Sequence, residues 1–234
     1  MEKPMMCGRH SSIRSRLSPA LAAVLATGGW WISAGAALGA AGAAAPDGSA
    51  GAGTGKAVAI CCAWGSKMSN GVLTYSINGN DPTAVSIIHN AIQAWDDALP
   101  DLTLTEVTKK PAIAITYGPG AADGGESPAS TGARGLTTTY LNGRRLVLRV
   151  EIGIDGGPAP VNTGAVEEIA KHELGHALGL GHANWDGDLM SPLVNPTPAP
   201  LPACDVNAVI HANSWRMVDH ARHPKPAPAS SSAC

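Results

Sequence analysis

The sequence predicts an α+β domain, and three observations carry that expectation. Residues 72–107 read as strand, helix, strand. Short alternating segments continue from there to residue 154. The stretch "HELGHALGLGH", His172 to His182, then has the composition of a helix that stops at glycine.

The elements follow in order. "VLTYSI" (Val72 to Ile77) alternates apolar and polar residues, as a half-buried strand does. "DP" then offers Asp81 as N-cap and Pro82 as the first helical residue. Val85, Ile88, Ile92, Trp95 and Leu99 recur at three and four, which buries one helix face, and Pro100 ends the run. "LTLTEV" and "AIAITY" (Ala112 to Tyr117) are further strands. The stretch "GPGAADGGESPASTGARG" is a long surface loop, rich in glycine, proline and serine. "GLTTTY" and "RRLVLRVEIGI" flank "LNG", where Asn142-Gly143 signals a hairpin.

His172 and His176 are four apart, so on a helix both rings face one side and can address one ion. His182 lies ten residues beyond His172, about 15 Å along a continued helix, so the chain must turn. Gly179 can take the left-handed conformation that ends a helix, and Gly181 eases the return path. Three imidazoles with a fourth position left for water describe a catalytic zinc. Glu173 is then placed to take a proton from zinc-bound water, whose pKa falls to about 7. Chance would assemble these five positions in roughly one chain of this size in ten thousand.

HExxHxxGxxH resembles the zinc signature of the metzincin metalloendopeptidases, and Met190, eight residues after His182, resembles their Met-turn. Pro192 narrows the resemblance to the matrixin branch. The resemblance implies a zincin-like catalytic domain: a twisted, mostly parallel five-stranded sheet with an antiparallel edge strand, two long helices and a C-terminal helix. It also implies a secreted endopeptidase with one Zn2+ on His172, His176 and His182 and Glu173 as general base. Substrate would lie as an added antiparallel strand along Gly135 to Tyr140, touching Gly135, Leu136 and Thr137. Pro192 and Val194 would wall the S1′ pocket, and Asp205, opening the closing helix, would hydrogen-bond back to the Met-turn. Asp123 and Glu126 could bind Ca2+ as such loops do in matrixins, or be ordinary solvated carboxylates.

The pattern is incomplete. Val194 stands where a tyrosine is usual and Ala183 where many matrixins have serine. No histidine lies between His89 and His172, so a second, structural zinc is not expected.

The N-terminus reads as an export signal. Lys3, Arg9, Arg14 and Arg16 form a basic region, and residues 17–45 carry no charge. Cleavage near Ala43 to Ala45 would release the protein, while an uncleaved segment would anchor it with the catalytic domain outside. Residues 46–56 are then a linker, 57–223 the catalytic domain and 224–234 a disordered tail. Four cysteines remain after export, Cys61, Cys62, Cys204 and Cys234. Neighbours do not readily pair, so Cys61 or Cys62 is expected to bridge to Cys204. Cys7, in "MCGRH", precedes the export segment, and its likeness to a latency motif is read as coincidence. A formal net charge of −2 argues against nucleic acid or an acidic membrane surface as partner. The expected partner is a protein or peptide substrate and the expected state a monomer. The competing reading is a zinc-binding module without turnover, and the presence of Glu173 argues against it.

Overall fold

The computed structural model describes residues 3–6, 55–68, 71–123, 133–157, 161–217 and 231–234. In chain order the strands are β1 (Lys3–Met6), β2 (Ala57–Ile60), β3 (Ala63–Trp64), β4 (Val72–Asn78), β5 (Thr103–Glu106), β6 (Ile113–Tyr117), β7 (Arg134–Leu141), β8 (Leu146–Asp155), β9 (Leu180–Ala183) and β10 (Ser231–Ala233). The helices are α1 (Pro82–Ala98), α2 (Thr163–Ala177) and α3 (Ala203–Met217).

Local chemistry sets these boundaries where the sequence indicated. Asp81 Oδ1 accepts the N–H groups of Thr83 at 2.9 Å and Ala84 at 3.3 Å, which caps α1. Ile88, Ile92, Trp95 and Leu99 are the buried stripe of that helix and its cap. After β7 the chain reverses around Asn142, whose Oδ1 accepts from Arg144 N at 2.9 Å and Leu146 N at 3.0 Å. The left-handed residue of this turn is Arg145, with φ 60°, rather than Gly143. Its guanidinium compensates by donating to Cys61 O at 2.9 Å.

The main sheet runs β1-β7-β8-β6-β4-β5, with β3 also pairing β8. The β4, β5, β6 and β8 pairings are parallel, and β7 is antiparallel to β8. This is the mostly parallel sheet with an antiparallel edge that the resemblance implied, with β1 and β3 added to the five strands expected. Helices α1 and α2 pack on one another, and Trp95 Nε1 donates to Lys171 O at 3.0 Å to fix their contact. A second sheet, β10-β2-β9, is antiparallel throughout.

Lys3–Met6, which fall in the expected export signal, pair antiparallel with β7 from Leu141 to Thr138, and the rest of that segment lies outside the described residues. Two expectations are corrected. The end of the chain, read as a disordered tail, forms β10, because its main chain completes the open edge of β2. Cys204 pairs with Cys234, and Cys61 with Cys62, instead of a bridge between Cys204 and the first strand. The backbone explains the change: Cys61 N is drawn to Gly179 O at 2.9 Å, and β10 carries Cys234 to the start of α3. Among the described residues no helix is long and apolar enough to cross a membrane.

Candidate metal centre

Asn162 starts α2 by accepting Ala165 N–H at 3.0 Å. At the other end of the helix, carbonyls left without intrahelical partners are met by side chains. The Trp64 indole N–H donates to Ala177 O at 2.9 Å, and Asn213 Nδ2 donates to Leu178 O at 2.8 Å. Gly179 then takes φ +105° and turns the chain into β9. A Cβ there would sit 2.5 Å from Cys62 O, so glycine is needed for conformation and for space.

The turn brings His182 back to His172 and His176. One ligand nitrogen from each ring lies within 4.8 Å of the others. His172 and His176 are buried, while His182 is partly exposed, so the group faces solvent on one side. Nδ1 of His172 donates to Leu189 O at 2.6 Å, and Nδ1 of His176 to Leu180 O at 2.9 Å. Each bond to a carbonyl fixes the tautomer with its lone pair on Nε2, the form that binds a metal. Nitrogens at roughly 2.0–2.1 Å from a tetrahedral zinc stand about 3.3 Å apart, so small ring movements close the set. Neutral imidazoles held in this way fit zinc.

Glu173 is 2 % exposed and lies under β7. Thr137 Oγ1 donates to its carboxylate and, at 3.2 Å, to its main-chain carbonyl. A Cβ on Gly135 would fall inside that carboxylate. Gly135 and Thr137 therefore shape the seat of Glu173, a sharper role than substrate contact. Leu136, between them, turns to the other face and is half-buried.

Met190 is fully buried, and a Cβ on Gly175 would collide with its Sδ. The sequence reading gave Gly175 no role, although its place inside HELGH was the available signal. Met190 O accepts Ala183 N–H at 2.8 Å, which joins this turn to β9. Asp188, in the turn segment, accepts Met190 N–H at 3.0 Å. Asp205, at the start of α3, is buried against Asp188, and burial, then that neighbouring charge, push its carboxyl up to about 8. No sequence pattern announced Asp188.

Pro192 is half-buried and Val194 buried, while Leu193 between them is exposed. Val194 lines a cavity of about 60 Å³ with Glu168 and Leu189. Glu168 Oε1 accepts from Lys171 Nζ at 2.9 Å and from Ala199 N at 3.1 Å, and Lys171 Nζ donates to Ala199 O at 2.9 Å. These bonds hold the segment behind Val194 on α2, a second feature the sequence reading missed.

The calcium expectation gains no support. Asp123 is exposed, Glu126 lies outside the described residues, and the metal-ligating group of three or more among the described residues is the histidine cluster. Near that loop, Asp155 accepts the N–H groups of Gly120 and Gly157, each at 2.9 Å. Burial alone would raise its pKa, but these bonds and Arg134 hold it below the usual carboxylate range.

The matrixin family model matches residues 63–212. Human (Homo sapiens) matrix metalloproteinase-20 is 30% identical over 178 residues, which cover 68% of this chain and 36% of that protein. The chain thus spans about a third of that relative's length. The solved structure of myroilysin is similar with a TM-score of 0.33 and 21% identity, over 53% of each chain.

Proposed function

The chain belongs to the matrixin family of zinc metallopeptidases, and from that premise we propose a secreted endopeptidase that hydrolyses peptide bonds of extracellular proteins or peptides. His172, His176 and His182 are the ligands of one zinc, and Glu173 is the general base. The observation that carries the proposal is the meeting of three imidazoles within 4.8 Å, two of them on the helix that also carries a buried glutamate.

Zinc, when bound, polarises the scissile carbonyl and makes water nucleophilic near neutral pH. The chain's own residues do the rest. Leu189 O and Leu180 O hold the two helical imidazoles in one tautomer. The Thr137 hydroxyl orients the Glu173 carboxylate, which accepts the proton of the attacking water and returns it to the leaving amine. The outer edge of β7 offers main-chain partners to an extended substrate. Pro192 and Val194 border the pocket for the residue after the scissile bond. In the exported form, residues 1–45 are removed, so β1 leaves with them and that edge opens.

Glu173→Gln tests the reading. Atomic emission should still find about one zinc per chain, and casein cleavage should fall by about 10²–10⁴-fold. A variant that cleaves casein as fast as the wild type overturns the base assignment. A zinc-loaded wild type that cleaves nothing favours the binding-module reading.

A further inference from the structure

His182 is the one histidine of the cluster that α2 does not carry. Its strand, β9, pairs with β2 through Val58 with Ala183 and Ile60 with Leu180. Just past it, Asn184 and Ala57 exchange two bonds: Ala57 N donates to Asn184 Oδ1 at 2.9 Å, and Asn184 N to Ala57 O at 3.1 Å. The other edge of β2 is covered by β10, with Ser231, Ser232 and Ala233 opposite Ala59, Val58 and Ala57. Cys234 N adds a bond to Lys56 O at 2.9 Å. A three-residue strand does not hold a sheet edge unaided. Here its end is tied covalently to Cys204, in the first turn of α3. That helix in turn reaches the end of α2 through Asn213.

We propose that the Cys204–Cys234 bridge is a redox-sensitive clamp on the third metal ligand. The inference rests on the histidine cluster being the zinc site. With the bridge closed, α3 holds β10, β10 holds β2, and β2 holds the strand that presents His182. A dithiol reductant opens it: the Sγ–Sγ bond breaks, Cys204 and Cys234 each gain an electron and a proton, and the reductant becomes a disulfide. β10 is then held by its ladder alone, β2 loses its outer neighbour, and His182 is less firmly presented. Cys204 and Cys234 are positioning residues that act through β9, and neither touches the ion.

The test uses the full oxidised chain loaded with zinc, and follows transfer of the metal to a chromophoric chelator. Cys204→Ser and Cys234→Ser, made separately, should each release zinc about tenfold faster or more. A phosphine reductant should do the same to the wild type, without adding a thiol that binds zinc. Changing Cys61 and Cys62 together to Ala should leave release slow. Amide hydrogen exchange in the zinc-loaded Cys234→Ser variant should rise in residues 57–60 and 180–183 and stay unchanged in α1. Zinc release at the wild-type rate in both serine variants overturns the clamp, as does exchange that rises everywhere alike. A wild-type chain that takes up no zinc overturns the metal-site reading instead, so the two failures are distinct.

Discussion

The two sheets divide the candidate site between them, and they are assembled in opposite ways. The main sheet draws β4 to β8 from one continuous stretch, residues 72–155, and β7 seats Glu173. The small sheet gathers β2, β9 and β10 from residues 57–60, 180–183 and 231–233, and presents His182. Glu173 is thus seated by a partner 36 positions away, while the strand of His182 is tied to residues as far as 127 positions away. Loop-closure entropy weighs on the second kind of contact, and covalent ties offset it.

Trp64 ties the main sheet to α2 and α3, since β3 pairs with β8 while the Trp64 indole caps α2 and the Trp64 main-chain N–H donates to Asn213 Oδ1 at 3.0 Å. Trp64→Ala should cost about 3–5 kcal/mol in urea unfolding, the largest effect expected from these three changes. If circular dichroism and zinc release then show two midpoints where the wild type has one, the sheets are separable units. A single shared midpoint would show them folding together. Gly135→Ala sharpens the comparison from the main-sheet side. Its Cβ would displace the Glu173 carboxylate, so peptidase activity should drop by about 100-fold while zinc content holds. Loss of zinc in that variant would mean that the two halves do not act separately.

The smallest effect concerns Asp155, at the end of β8. Its folded-state pKa is depressed, so its contribution is present above the unfolded value near pH 4 and is lost as pH falls through the lower folded value. Asp155→Asn should cost about 1 kcal/mol at pH 7 and almost nothing below pH 2, as read from thermal midpoints across that range. An equal cost at both ends would show that the contribution is packing and not charge.

The main sheet, α1 and the histidine cluster were legible because each carries a local signal: alternation in Val72–Asn78, the Asp81 cap, and the spacing of His172, His176 and Gly179. The small sheet was not. "SSA" at Ser231–Ala233 has no apolar rhythm, and its pairing with β2 depends on residues more than 170 positions away. Four cysteines leave three connectivities open, and sequence alone does not choose among them. Asp188 and Glu168 were missed for a related reason. Their roles come from partners on other segments, Asp205 in one case and Ala199 in the other.

Pro4 lies opposite Tyr140 in the strand that covers β7. Proline brings no N–H to a ladder, and an outermost strand is where a sheet accepts it. For the proposed peptidase, an edge that pairs through main chain would leave discrimination among substrates to the side behind Pro192 and Val194, where Glu168 and Lys171 hold the wall in place.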